Sequence, residues 1–394
     1  MSRPIADTPS FLAEAAGREK ETTSWNMLSL EMQLWIEVFL LVGLGVVMIY
    51  SASSIMAIRK FGDASHYLKR QLICMGLGLI IMLVFSRMPY KRLTEQVRWL
   101  LVLVVIALGL VLIPGVGVEV NNARRWFQIR GFSLQPAEYA KVIWVMYLSV
   151  SLSRKQENVR KFSVGFLPHI IICGVLSALI IKEPDFGTTF MVGCLTMIMM
   201  AVGGVPMRHL FLLYPVAIYG FYRFVYLVPY RWERVTAFLN PWTDPLDSGY
   251  QLIQAWIAVG SGGLWGKGLG AGQQKLFYLP ESYTDFIMAV IGEELGFAGI
   301  AVICILFFCL FRTGMRISRI APDLSTTLMA LGLTMLVSLQ ALFNMSVVLG
   351  LVPTKGLPLP FISYGGSAFT ADCMAIGILM NIARSGEKQV TQNV

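Results

Sequence analysis

Leu34–Ile55 reads LWIEVFLLVGLGVVMIYSASSI, an apolar run with Glu37 as its only charge. A helix of that length, at 1.5 Å per residue, matches the roughly 30 Å hydrocarbon core of a bilayer. Similar runs recur as far as Ile382, separated by short polar breaks. Candidate helices fall at 34–55, 71–86, 99–117, 137–153, 166–182, 188–204, 210–228, 285–312, 324–351 and 364–383, about ten in all. The expected fold is an all-α polytopic membrane protein: one transmembrane domain over 32–384, with polar tails at 1–31 and 385–394 and a large external loop, 229–284, between helices 7 and 8.

Composition agrees. Of 394 residues, 56% are apolar and 14% charged, with a mean hydropathy of +0.66; soluble domains carry about 25% charged residues. A soluble enzyme of standard class is excluded. The net charge of +9 does not indicate nucleic acid, because the basic residues are scattered through short loops, where orientation and anionic headgroups account for them. All six cysteines lie inside apolar runs without a C-x-x-C pair, so neither a disulfide framework nor a zinc site is implied. The N-terminal tail lacks an apolar core before Leu34 and does not read as a cleavable signal.

An even number of spans puts both termini on one side. The short basic loops 87–98, 154–165 and 312–323 assign that side to the cytoplasm. Seventeen Lys and Arg residues then lie inside and fifteen outside; setting aside five in and around the long loop leaves seventeen against ten. The outer face holds four unusual segments: 115–141, 182–188, 229–284 and 352–367. In 229–284, the run SGGLWGKGLGAGQQ and several tryptophans and tyrosines predict short amphipathic helices lying in the interface.

Common catalytic devices are missing. GGLWGKGLG is not a P-loop, since Gly268 follows Lys267, and no H-E-x-x-H or G-x-S-x-G occurs. The three histidines, His66, His169 and His209, are far apart. Chemistry therefore falls to carboxylates, lysines and arginines. One face collects Arg124, Arg125, Glu138, Lys141, Lys182, Glu183, Asp185, Glu281, Asp285 and Lys355, most of them at span ends. Any one of these is more often a headgroup anchor than a site residue.

Asp285 stands where the long loop enters a helix, a position that suits a helix cap as well as a catalytic base. On a continuous helix Glu293 would lie about 80° round the axis from Asp285 and roughly 12 Å deeper, with Glu294 on the opposite side. Glu293 then either pins neighbouring helices or serves a proton path. Arg124, Arg125 and Lys355 suit a phosphate or pyrophosphate, although two arginines beside Trp126 also make an ordinary interfacial anchor.

The segments ARRWFQIRGFSLQPAEYAK, EPDFGTT, FLNPWTDPLDSGYQLIQAWIAVGSGGLWGKGLG, QQKLFYLPESYTDFIMAVIGEELG and LVPTKGLPLPFISYGGS occur in this order. Together they resemble the SEDS family (FtsW/RodA/SpoVE), and the resemblance covers nearly the whole chain after the tail. It implies ten helices and a peptidoglycan glycosyltransferase that polymerises lipid II at the outer face of the bacterial inner membrane. The family's required aspartate corresponds to Asp285. The division branch is the closer match, which implies a septal role, and a sporulation paralogue stays open. Where divisional members usually read P-E-A-H-T-D-F, this chain has Ser282 and Tyr283.

On that resemblance Asp285 is the general base for the acceptor hydroxyl. Arg124, Arg125, Lys355, Lys141 and Glu138 bind substrate or pyrophosphate, and Glu183, Asp185, Glu281 and Glu293 support them. No cofactor is demanded; a divalent cation, magnesium or manganese, would fit the departing pyrophosphate. The implied partners are a class B penicillin-binding transpeptidase, other divisome proteins and membrane lipids. Two rival readings stay open: a lipid II flippase, which would place charges near the bilayer midplane, and a non-catalytic division scaffold, indifferent to Asp285.

Overall fold

The computed structural model describes residues 28–120, 123–129, 132–354 and 356–392. Most of the N-terminal tail and Lys355 lie outside the described residues. The helices are α1 Leu30–Phe61, α2 His66–Arg87, α3 Tyr90–Val111, α4 Pro136–Arg154, α5 Leu167–Lys182, α6 Phe186–Val202, α7 Met207–Tyr226, α8 Pro229–Leu239, α9 Tyr250–Gly262, α10 Ile287–Ile320, α11 Leu324–Val348 and α12 Gly366–Gln392. Ten of them, all but α8 and α9, coincide with the expected spans.

Among the described residues, seven helices are long and apolar enough to cross a membrane: α1, α2, α3, α5 with the π turn that leads into it, α10, α11 and α12. α6 is apolar but shorter, and α7 turns through 99° into Arg231–Leu239. α4 carries Glu138, Lys141 and Arg154, yet most of its residues are buried. Local chemistry sets the ends. Asp185 accepts from Thr188 N at 3.0 Å to start α6, Asp323 and Thr326 form a capping box at α11, and Gly62 at φ 73° ends α1.

Burial sorts the helices into inner and outer. The apolar window of α12 is 89% buried, against 22% for α2. α12 is therefore a central post, and α2 turns its apolar surface to lipid. α12 also runs on through Gln392, where a separate tail after about residue 384 was expected. Its last turns are tied to the start of α1: Arg384 Nε donates to Glu31 at 3.0 Å and Leu30 N donates to Glu387 at 2.7 Å.

Two features were not foreseen. The first is a three-stranded antiparallel sheet, β1 Val118–Val120, β2 Ala123–Ile129 and β3 Phe132–Leu134, pairing Glu119 with Arg124 and Gln128 with Ser133. The second is a break in α10 at Gly296 (φ 66°, ψ −162°). Backbone groups freed inside an apolar bundle must find partners, and the 263–268 loop supplies them. Lys267 N and Gly268 N donate to the carbonyls of Glu293 and Glu294 at 3.0 Å, while Phe297 N and Ala298 N donate to those of Gly263 and Leu264 at 2.9 and 3.0 Å. A Cβ at Gly266 would fall 2.1 Å from the Glu294 carbonyl oxygen, so this approach needs glycine.

Candidate active site

Asp285 lies outside α10. The helix begins at Ile287, its N-cap residue is Phe286, and no side chain caps it. The capping alternative therefore fails, and so does the projection from Asp285 to Glu293 along one continuous helix. The aspartate sits instead in a turn held by its own backbone. Thr284 N and Phe286 N donate to the carbonyl of Glu281 at 3.2 and 3.1 Å, and Thr284 Oγ1 donates to Glu281 Oε2 at 2.8 Å. Glu281 adopts φ 54°, a left-handed conformation rare outside glycine and asparagine and retained where the surroundings enforce it.

The surroundings do so through three successive carbonyls. That of Tyr283 accepts from Tyr364 N at 3.0 Å, that of Thr284 from Ser363 Oγ at 2.6 Å, and that of Asp285 from Asn344 Nδ2 at 2.8 Å. Asn344 also donates to the Leu357 carbonyl at 2.7 Å. α11 and the 356–364 segment thus fix the backbone of Asp285 through these carbonyls rather than through its carboxylate. A Cβ at Gly356 would lie 2.7 Å from Asp285 Oδ2, so a missing side chain makes room for the carboxylate.

The half-buried Asp285 carboxyl is pushed up to about 7. Desolvation is the main cause, Glu281 and Asp185 add to it, and the positive charges of Arg125 and Arg234 oppose it. Such a group exchanges a proton readily at neutral pH, as a general base must.

β2 decides which arginine reaches this site. Side chains alternate along a strand. Arg124 points to Glu119, pairing at 2.8 Å, whereas Arg125 donates through Nε to the Glu183 carbonyl at 2.6 Å and through Nη2 to that of Pro184 at 2.9 Å. Arg125 therefore belongs to the turn that carries Asp185, and Arg124 does not. Asp185 accepts from Thr188 N, from Thr188 Oγ1 at 2.9 Å and from Gln135 Nε2 at 3.2 Å.

Glu183 is fully buried and neither carboxylate oxygen has a hydrogen-bond partner. Burial and the neighbouring Asp185 push it up to about 9, against the pull of Arg125. At neutral pH it is a neutral acid. Among the described residues no group of three or more Asp, Glu, His or Cys side chains is arranged to hold a metal ion.

Glu138 and Lys141, expected on the substrate, are buried in α4 and turned toward protein. They pair with each other at 2.8 Å, and Lys141 Nζ donates to Gln340 Oε1 at 2.7 Å. Gln340 in turn holds the Pro358 carbonyl at 3.1 Å. The pair is thus linked to the 356–364 segment through Gln340.

Glu293 is likewise committed to protein partners. It accepts from Lys267 Nζ, Gln273 N and Gln274 N at 2.9 to 3.1 Å. Glu294, expected on the opposite side, meets the same loop through Lys275 Nζ at 2.6 Å and Gly270 N at 3.0 Å. Both glutamates pin the long loop, whereas the plainer sequence reading has Glu293 pinning neighbouring helices. Arg234, Asn344 and Gln135 were missed. An arginine one helical turn from Arg231 in YRWERV was the only local sign of the first.

Comparison with known proteins places this arrangement. The model of the FTSW_RODA_SPOVE family, described as "Cell cycle protein", matches residues 32–388. A protein named probable peptidoglycan glycosyltransferase FtsW from Geobacter metallireducens is 42% identical over 364 residues, 92% of this chain and 96% of that one. Stage V sporulation protein E of Bacillus subtilis is 43% identical over 356 residues, 90% of this chain and 97% of its own. Among solved structures, a chain described under "Structural coordination of polymerization and crosslinking by a peptidoglycan synthase complex" superposes with a TM-score of 0.72 at 29% identity, covering 90% of this chain and 97% of that one. The rod shape determining protein RodA of Thermus thermophilus gives a TM-score of 0.65 at 26% identity, covering 89% and 96%.

Proposed function

The chain belongs to the FtsW/RodA/SpoVE family, and from that premise we propose that it is a multi-pass peptidoglycan glycosyltransferase polymerising lipid II with Asp285 as general base. The observation that carries this reading is the carboxyl of Asp285. Burial pushes it up to about 7 against the pull of Arg125 and Arg234, and it stands on a backbone clamped at three consecutive carbonyls.

In the reaction, the 4-hydroxyl oxygen of the acceptor sugar bonds to the anomeric carbon of the donor. The bond from that carbon to the polyprenyl pyrophosphate breaks with its electron pair on the leaving oxygen. The hydroxyl proton passes to Asp285. Pyrophosphate leaves without the general acid that a sugar alkoxide requires, and Arg125 and Arg234 offset the charge that builds on it. No step is routed through a metal. Arg124, exposed and paired with Glu119, is assigned to the rim, and Lys355 adjoins Gly356 in sequence.

The family context and the basic loops support a bacterial inner-membrane location, both termini in the cytoplasm and the site outside. A class B penicillin-binding transpeptidase is the proposed partner, supported by the likeness to a chain of a peptidoglycan synthase complex that coordinates polymerization and crosslinking. Septal division is the proposed setting, supported by the family model's description, "Cell cycle protein". The deciding assay gives the purified chain lipid II in liposomes, with and without that partner. Glycan product supports the enzyme; translocation of lipid II without product would sink the reading in favour of a flippase.

Two further results are expected of this assay. Because Asp285 must be ionised to accept a proton, kcat/KM falls about tenfold per pH unit below about 7 and levels off above it; a profile flat from pH 5 to 8 would remove Asp285 as base. Arg125→Ala removes a charge that lowers the Asp285 carboxyl, so it cuts the rate by roughly tenfold or more and moves the acid limb to higher pH. Arg124→Ala, which breaks only an exposed pair, stays within about twofold of the parent. Equal losses from both would contradict the separation made by β2.

A further inference from the structure

α4 starts beside Gln135, which reaches Asp185. Its 19 residues then carry the chain about 28 Å to the opposite end of the bundle. At that end a pocket of about 130 Å³ opens between α3 and α4, lined by Arg98, Arg154 and Lys155 with Tyr147 and Ser151 behind them. This is far more space than the 10–15 Å³ that one water needs. Ser151 Oγ lies 2.9 Å from Nε2 of the buried His169, so the rear wall is fixed.

Among the described residues no carboxylate pairs with any of these three cations. Burial, aided by the positive charge of Arg98, pushes the Lys155 ammonium below its ordinary value. Headgroup anchoring accounts for single basic residues at a span end. It does not account for three converging on one concave pocket without a counter-ion.

We propose that this pocket binds the phosphate of an anionic membrane-lipid headgroup. Guanidinium groups match phosphate oxygens bidentately and an ammonium adds a point charge; basic pockets between membrane helices take such headgroups. A soluble phosphate offers the same chemistry, but the flanking surface favours a lipid. Trp99, Val102 and Leu103 on α3 are 76%, 49% and 61% exposed, and Leu167 and Ile171 on α5 are 40% and 56% exposed. Acyl chains would lie against these residues while the phosphate enters the pocket. Under the proposed topology the lipid belongs to the cytoplasmic leaflet, away from the Asp285 site.

The test uses the full-length chain in nanodiscs of phosphatidylcholine containing phosphatidylglycerol, with retained lipid counted by native mass spectrometry. The parent is expected to retain phosphatidylglycerol preferentially, and Arg98→Gln with Lys155→Gln to lose about tenfold or more of that preference. The charge-keeping pair Arg98→Lys with Lys155→Arg keeps most of it, which separates charge from folding. Lys91→Gln with Arg92→Gln, removing equal charge outside the pocket, leaves it unchanged. Equal loss from the pocket pair and the control pair would overturn the site, because diffuse attraction would then explain the binding. Displacement of the lipid by millimolar inorganic phosphate would overturn the lipid assignment in favour of a soluble anion.

Discussion

Asp285→Asn is expected to lower glycan polymerisation by about 10²–10⁴-fold, the range a positioned proton acceptor supplies, in a protein that stays folded. The substitution keeps the shape of the side chain and leaves untouched the backbone carbonyl that Asn344 holds at 2.8 Å. It removes only the ability to take a proton. The raised carboxyl gives an independent readout. Its value of about 7 in the fold lies above that of an unfolded aspartate, near 3.9, so ionisation at pH 8 opposes folding and at pH 3 does not occur. The asparagine variant should therefore melt higher than the parent at pH 8 and about equally at the acid extreme. Activity lost while heat stability rises marks a group kept for chemistry. Wild-type polymerisation by folded Asp285→Asn would end its assignment as base.

Glu294→Ala is expected to destabilise the protein by about 3–5 kcal/mol, the cost of stranding one member of a buried ion pair. Glu294 is fully buried and Lys275 is 3% exposed, and the carboxylate also accepts from Ser51 Oγ at 2.6 Å. Truncation leaves the Lys275 ammonium without its counter-charge in an apolar bundle. Joint replacement, Glu294→Leu with Lys275→Met, should recover much of the loss, since apolar pairs of similar volume often substitute for buried ions. Thermal unfolding of the solubilised protein reads both. A single variant that melts with the parent would show that the pair contributes little. Because the pinned loop leads directly into the Asp285 turn, polymerisation by Glu294→Ala should fall before global unfolding does.

The long apolar runs made the spans legible, because hydrocarbon thickness fixes helix length whatever the neighbours are. Asp285 was legible as an acid at the mouth of a span. The sheet around Arg125 was not: strands of three and seven residues give too little period-two pattern to stand out from a loop. The partners of Glu293 and Glu294 were illegible for a related reason. Those partners come from a glycine-rich loop without periodicity.

By itself, the sequence determined that the chain spans a membrane many times and that turns at the ends of its apolar runs gather acids and bases. Those properties follow from composition and run length, which are local. Only the tertiary structure decided that Arg125 and not Arg124 reaches the Glu183–Pro184 turn, that Glu138 and Lys141 are buried together, and that Asn344, Ser363 and Tyr364 clamp the Tyr283–Asp285 carbonyls from 59 to 81 residues away. Contacts between residues so distant along the chain are set by how helices pack and where a strand turns its faces, and no local pattern records them.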